Sequence, residues 1–485
     1  MKKALALFLA LVMICSIPAV AFASSDNNAE ITDHDPVVLV RGMDFNNVKL
    51  NPGTADEKQI NDFSAETIAP AVLKALGQFF FMQDKDAAID TVLSCAYDML
   101  KFNSMDETGL PVYNSGMTKY PLSAEHYKRF RSGEVNEDGL IRTFAESFGD
   151  EHAYLVNYDW RIDPFTVADE IDAAVQRAVQ KTGHKKVSLV CASMGGIMAV
   201  AYLEKYGYEN ISRVIFMSST FCGTQIACDV LTGKLSITAD GLYSYLMDFV
   251  SGNKLGEIGL KLLKKLGAFS AVTKITDYIL ENRKDDIYDR VLKPIFCNML
   301  PLWGLICADH YEEAINYIYG SRENVNPEFL KKADALQAMM KNRNSLLYAM
   351  IQDGVKVNVL SNYGFHLIPV YESSDFSGDK TLEAYNTSGF ATVAKFGQTL
   401  GEDYKAANPA LLSPDRCVDL STAILPEYTY AIKEAPHVSG SYGSDYNAFV
   451  MYLLKNTGDC KAGSNPQYPR FMVSDFNNQS LRAFD

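Results

Sequence analysis

The chain has no Cys-x-x-Cys pair and no cysteine–histidine spacing of the kind that holds zinc, so the sequence predicts no metal centre and no redox dithiol motif. Its nine cysteines are few for 485 residues. That count is far below the density of a scaffold that depends on disulfides, and leaves room for at most two bridges, with Cys222 and Cys228 the nearest pair along the chain. Basic residues are also short: 45 Lys plus Arg stand against 59 Asp plus Glu, a formal net charge of -14. A chain of that sign repels polyanions, which excludes nucleic acid as a general partner. Past the first 23 residues no apolar run reaches the roughly 18 residues that a membrane-spanning helix needs, so no stable membrane insertion is expected. Internal repeats, low-complexity tracts and Pro/Ser-rich linkers are absent as well.

What is present begins with Lys2 and Lys3, an apolar run from Ala4 to Ile14 and the small-residue pattern Ala21-Phe22-Ala23. This order of charge, apolar core and cleavage site predicts a signal peptide over residues 1–23 and a secreted, extracellular mature chain, residues 24–485. Its removal takes away two lysines and no acid, which deepens the negative balance. Cys15 is preceded by Ile14, not by the small residue of a lipoprotein signal.

Short β-branched runs alternate with helical patterns. Pro36 to Val40, Ala153 to Val156, Lys186 to Cys191, Arg213 to Ser218, Val355 to Leu360 and Tyr428 to Ile432 read as buried strands. Pro164 to Lys181 carries Ile171, Val175 and Ala178 at helical spacing, with Gly183 placed to end the helix. The pattern predicts an α/β protein with a mainly parallel sheet flanked by helices. Two long segments interrupt it: an insertion over about 48–150, and a helical block over about 222–353 that falls between two strands of the sheet and reads as a cap.

Chemical signal concentrates at Cys191-Ala-Ser-Met-Gly195, followed by Gly196. A strand, a sharp turn and a helix expose a nucleophilic serine in a strained conformation that demands small neighbours, and Ala192, Gly195 and Gly196 meet that demand. Cys191 departs from the glycine of the G-x-S-x-G pattern. A serine needs a histidine base and an acid that orients it, in the order serine, acid, histidine. Of the histidines after Ser193, His310 falls in the helical block and His366 follows its strand too closely. His437 directly follows the last predicted strand. For the acid, Asp379 in Gly378-Asp-Lys-Thr-Leu382 is the best placed, with Asp375 and Glu383 as alternatives. The residue after the nucleophile and the loop after the first strand supply oxyanion donors in such an arrangement, which assigns the main-chain N–H groups of Met194 and Met43.

Tyr158-Asp-Trp-Arg161 with Asp163-Pro164, followed about thirty residues later by Ala192-Ser-Met-Gly-Gly196, resembles the lecithin:cholesterol acyltransferase group of α/β-hydrolases. The Gly378–Leu382 segment is similar to the G-D-x-T-V segment that carries that group's catalytic aspartate, and this favours Asp379 over its alternatives. The resemblance places Gly42-Met43 at the oxyanion loop, where Arg41 replaces the usual Pro or His. It covers Pro36–Val40, Ala153–Ser218 and, more loosely, Val355–Leu454. It implies an α/β-hydrolase fold and a secreted esterase, lipase or acyltransferase that acts without a cofactor on a small-molecule or lipid ester. A serine peptidase of the same fold and a catalytically inactive extracellular binding protein are the competing readings. The apolar Pro294–Ile306 stretch, interrupted by Pro301, suits either a mobile cover that meets acyl chains or the buried face of the cap. Tyr158 to Arg161 read as a packing and salt-bridge element.

Overall fold

The computed structural model describes residues 34–43, 48–61, 65–117, 139–250, 254–265, 267–437, 444–475 and 479–485; the expected signal peptide lies outside them. The protein is an α/β fold built on a mixed, mostly parallel eight-stranded sheet. In chain order the strands are β1 (Val37–Val40), β2 (Ala153–Val156), β3 (Val187–Ala192), β4 (Ile211–Met217), β5 (Lys356–Tyr363), β6 (Thr429–Lys433), β7 (Phe471–Asp475) and β8 (Ser480–Ala483). They lie side by side as β8-β7-β6-β5-β4-β3-β1-β2, and only the β7–β8 pair is antiparallel.

Alternation along each strand decides which layer each residue joins. Val38, Val40, Leu189, Cys191, Val214 and Phe216 face one side, and Val37, Leu39, Val190, Ile215 and Met217 face the other. A strand buried on both faces needs a continuous apolar run, which explains why these segments show no polar alternation. Thirteen helices serve as landmarks: α1 (Ala65–Leu76), α2 (Lys85–Leu100), α3 (Gly139–Phe148), α4 (Pro164–Thr182), α5 (Gly195–Tyr206), α6 (Gln225–Leu231), α7 (Ala239–Val250), α8 (Lys254–Lys265), α9 (Ala268–Asn282), α10 (Leu300–Leu305), α11 (Tyr311–Tyr319), α12 (Pro327–Gln352) and α13 (Ser444–Lys455). The first face is covered by α4, α5 and α12, the second by α3 and α13. Local signals set the bounds of α4: Asp163 accepts the Phe165 N–H at 3.0 Å, Pro164 occupies the first turn, and Gly183 closes the helix at φ +75°.

The 222–353 block has two parts. Helix α12 packs on α5 and α10 and delivers the chain to β5, so it belongs to the layer that covers the sheet. Helices α7, α8 and α9 share a separate small core of Leu242, Leu246 and Phe269. Pro294–Ile306 is a buried face: Ile295, Met299, Leu300 and Trp303 are fully enclosed, and the Trp303 Nε1–H donates to the Cys297 carbonyl at 2.7 Å. The stretch joins the main core, which removes it as an acyl-contacting cover.

The earlier insertion carries α1, α2 and a small antiparallel sheet of Val48–Leu50, Lys58–Gln59 and Ser115–Met117. Arg161 ties it to the main sheet. Its guanidinium, with no exposed surface, grips Asp159 through Nε at 2.9 Å and Nη2 at 2.7 Å, and its Nη1 donates to the Phe102 carbonyl and to Ser115 Oγ. On the far side Arg283 pairs with Asp86 and Asp90, and Arg290 with Asp90, joining the insertion to the end of α9. The Arg161→Met substitution leaves the Asp159 carboxylate buried without its partner and should cost about 3–5 kcal/mol of stability. Urea unfolding of the variant measures this, and adding Asp159→Asn should recover part of the loss.

Candidate active site

Strand β1 lies between β2 and β3, so the chain leaves β1 in one direction and returns on its other side. In open parallel sheets the crevice at such a reversal, beyond the carboxyl ends of the strands, is where ligands bind. Here it holds Gly42 after β1 and Ser193 after β3.

Ser193 has a φ of +50°, a left-handed backbone that a non-glycine residue rarely adopts. The turn is closed by main-chain bonds: Ser193 N–H donates to the Met217 carbonyl at 3.2 Å, and the Ser193 carbonyl accepts from the N–H groups of Gly196 and Thr220, both at 3.0 Å. Its neighbours leave no room for a β-carbon. One placed on Gly195 would sit 2.2 Å from the Val40 oxygen, and one on Gly42 would sit 2.6 Å from the Ser193 β-carbon. Cys191 is a fully buried strand residue in register with Val40 and Phe216, its side chain housed among apolar groups. Burial pushes its thiol well above the usual range. The departure from glycine is thus absorbed within the strand, and the left-handed conformation falls on Ser193.

His437 follows β6 and is clamped at two points. Its Nε2 lies 2.9 Å from Ser193 Oγ, and its Nδ1 lies 2.7 Å from Asp379 Oδ2. Its main-chain N–H also donates to the Asp379 carbonyl at 2.8 Å. Asp379 has no exposed surface, and its other oxygen accepts from the N–H groups of Thr381 at 3.0 Å and Leu382 at 2.7 Å. Every face of this carboxylate therefore has a donor. With Asp379 accepting at Nδ1, that nitrogen carries the proton and Nε2 is left as a base directed at the serine hydroxyl.

The structure brings together Ser193, Asp379 and His437 and places the alternatives elsewhere. His310 is half-buried and bonds Glu313 at 2.9 Å, while His366 is turned to the Leu367 carbonyl and packs on Phe396. Asp375 pairs with Lys395 at 2.6 Å. Glu383 is buried on the N–H of Gln225 at 2.5 Å. The Met43 and Met194 main-chain N–H groups make no hydrogen bond to another described residue. Met194 immediately precedes α5, where first-turn N–H groups lack intrahelical partners. Among the described residues no cluster of His, Cys, Asp and Glu could hold a metal ion.

Two side chains support the site in ways the sequence does not reveal: Tyr158, read there only as part of a packing motif, and Asn362. The Tyr158 hydroxyl donates to the Arg41 carbonyl at 2.8 Å and so fixes the backbone leading into Gly42-Met43. Asn362 accepts from the Tyr446 hydroxyl at 3.1 Å and donates to the Pro436 carbonyl at 3.4 Å, bracing the turn that carries His437. All three bonds bridge residues far apart along the chain, and only the fold makes them neighbours. No family model, no curated protein and no solved structure matches this chain, so the site is read from its own geometry.

Burial raises the Glu383 carboxyl to about 8, well above the ordinary 4.5, and one of its oxygens has no partner among the described residues. A folded-state pKa above the unfolded value means that the native chain holds this proton more tightly, so the group lowers stability progressively as pH rises from about 4.5 to about 8. Glu383→Gln removes this dependence. Its melting temperature should gain on the wild type steadily between pH 5 and pH 8, as read by scanning calorimetry, whereas parallel curves would contradict the assignment.

Proposed function

We propose that the protein is an exported serine hydrolase of the α/β-hydrolase type that cleaves carboxylic esters through an acyl-enzyme on Ser193. The observation that carries this reading is the continuous contact from Ser193 Oγ through His437 to Asp379, at 2.9 and 2.7 Å. The order of the three residues along the chain, the strand–turn–helix around Ser193 and its position at the sheet's reversal agree with it.

In the proposed reaction Ser193 Oγ attacks the ester carbonyl while His437 Nε2 takes the hydroxyl proton. Asp379 keeps the imidazole in the productive tautomer and stabilises the imidazolium. The N–H groups of Met43 and Met194 receive the oxyanion, placed there by the close packing of Gly42 on Ser193. Collapse passes the proton from His437 to the departing alkoxide, and a water activated by the same nitrogen then releases the acid. This chemistry calls for no cofactor.

An acyl substrate is favoured by Met43, whose exposed apolar side chain directly follows Gly42, the residue packed on Ser193, and would give the approach an apolar edge. With Pro294–Ile306 buried in the core, a lipid ester rests on this edge and on the resemblance to the acyltransferase group. The same acyl-enzyme serves transfer to an alcohol if the acceptor outcompetes water. No helix among the described residues is long and apolar enough to cross a membrane, and the reading places the substrate in solution or at a surface the protein visits from solution.

Hydrolysis of a series of p-nitrophenyl acyl esters tests the proposal. Asp379→Asn should lower kcat by about 10⁴-fold by presenting the wrong tautomer at His437. Ser193→Ala should remove the acyl-enzyme altogether, and a chain-length series on the wild type reads the acyl preference. Wild-type turnover of no ester, with the protein folded by circular dichroism, would refute the hydrolase reading.

A further inference from the structure

Three cysteines meet where α6 faces the end of α10, and none of them belongs to the Ser193 triad. Cys222 and Cys228 are buried, and Cys307 is partly exposed. The nearest approach is not within the pair adjacent in sequence. The Cys307 main-chain N–H donates to the Cys228 sulfur at 2.9 Å, which sets the two residues side by side. The backbones are already locked side by side, with Thr224 N–H donating to the Leu305 carbonyl at 3.0 Å and a β-carbon on Gly223 calculated to fall 2.5 Å from that oxygen. Cys222 is held differently: its carbonyl accepts from Asn386 Nδ2 at 2.8 Å.

We propose that Cys228 and Cys307 are a covalent modification site, a dithiol that closes to a disulfide by exchange with small-molecule disulfides and pins α6 to the segment after α10. The chemistry of the two sulfurs divides the roles. Cys307 receives N–H groups from Gln225 Nε2 at 3.6 Å and Asn386 Nδ2 at 4.0 Å, and the hydrogen bond from the Cys228 thiol draws its own thiol below the usual range. Cys228 is pushed up, by that shared bond and by burial. Cys307 is therefore the accessible thiolate and Cys228 the enclosed resolving thiol. The Cys307 thiolate attacks one sulfur of the oxidant, forming a mixed disulfide and expelling one thiolate, which takes up a proton. Cys228 then loses its proton and attacks the Cys307 sulfur, expelling the second thiol. Two protein thiols are oxidised and one small disulfide is reduced to two thiols, so atoms and electrons balance.

The bridge would act on more than the cap. Helix α6 also holds the segment that carries Asp379, because the Gln225 N–H donates to Glu383 and Asp229 Oδ2 accepts from the Ser373 N–H at 2.7 Å. Closing the bond joins residues 79 positions apart and restricts the unfolded chain correspondingly.

Peptide mapping decides the matter without reference to catalysis. The full-length exported chain is equilibrated with oxidised glutathione or with dithiothreitol, alkylated, digested and analysed by mass spectrometry. A Cys228–Cys307 linked peptide in the oxidised sample that vanishes on reduction, with a higher melting temperature for the oxidised protein, is the expected result. Both cysteines fully alkylated after oxidation, a bridge from either one to Cys222, or glutathione retained on Cys307 would each overturn the proposal. Cys228→Ser should trap that glutathione adduct on Cys307; a folded variant in which Cys307 stays unmodified would overturn the assigned order of attack.

Discussion

The candidate site depends on one backbone angle. Ser193 is held at φ +50°, a conformation that costs on the order of 1–3 kcal/mol and persists only where the surroundings leave no alternative. Those surroundings are almost bare of side chains. A β-carbon on Gly196 would lie 1.9 Å from Ser219 Oγ, one on Gly195 would meet the Val40 oxygen, and one on Gly42 would meet Ser193 itself. The turn thus exists because two strand ends and the start of α5 approach more closely than side chains permit. The buried apolar residues of β1, β3 and β4 supply the rigidity that holds this approach.

Each member of the Ser193, His437 and Asp379 group leaves the carboxyl end of a different strand or the loop that follows it: β3, β6 and β5 respectively. Parallel strands bring these ends to one edge, so residues separated by 58 and 244 positions become hydrogen-bonded neighbours. The connecting segments are then free to differ. The loop after β5 that carries Asp379 has its own small core of Leu411, Val418 and Leu420, and α7 to α9 have another. Chemistry and packing occupy separate parts of the same connections, which lets long insertions surround the site without disturbing it.

What the sequence made legible follows from local physics. Val37–Val40 is buried on both faces and so reads as an unbroken apolar run, Val187–Ala192 is apolar apart from the buried Ser188, and α4 carries both of its end signals in Asp163-Pro164 and Gly183. Ser193 was legible because small residues follow an apolar strand, and His437 because it follows the last of the predicted strands. Strand β5 runs three residues beyond its apolar segment. Ser361, Asn362 and Tyr363 are polar yet buried, and their partners Thr387, Tyr446 and Asp415 lie 26 to 84 positions away. No local pattern encodes such distant satisfaction. Strands β7 and β8 escaped notice for a related reason: Phe471–Asp475 is a brief run and Ser480–Ala483 is half polar, and both are strands only because β6 offers an edge to extend. Cysteine proximity was equally hidden: closeness along the chain favours Cys222 with Cys228, all three thiols are free, and the fold sets Cys228 beside Cys307.

The central claim is that Ser193 is an activated nucleophile, and covalent labelling of the folded wild-type protein with a fluorophosphonate, followed by peptide mapping, tests it most directly. The account predicts a single label on Ser193 that is lost when His437 is replaced by alanine. A folded protein in which Ser193 remains unlabelled, or is labelled equally well without His437, would contradict it.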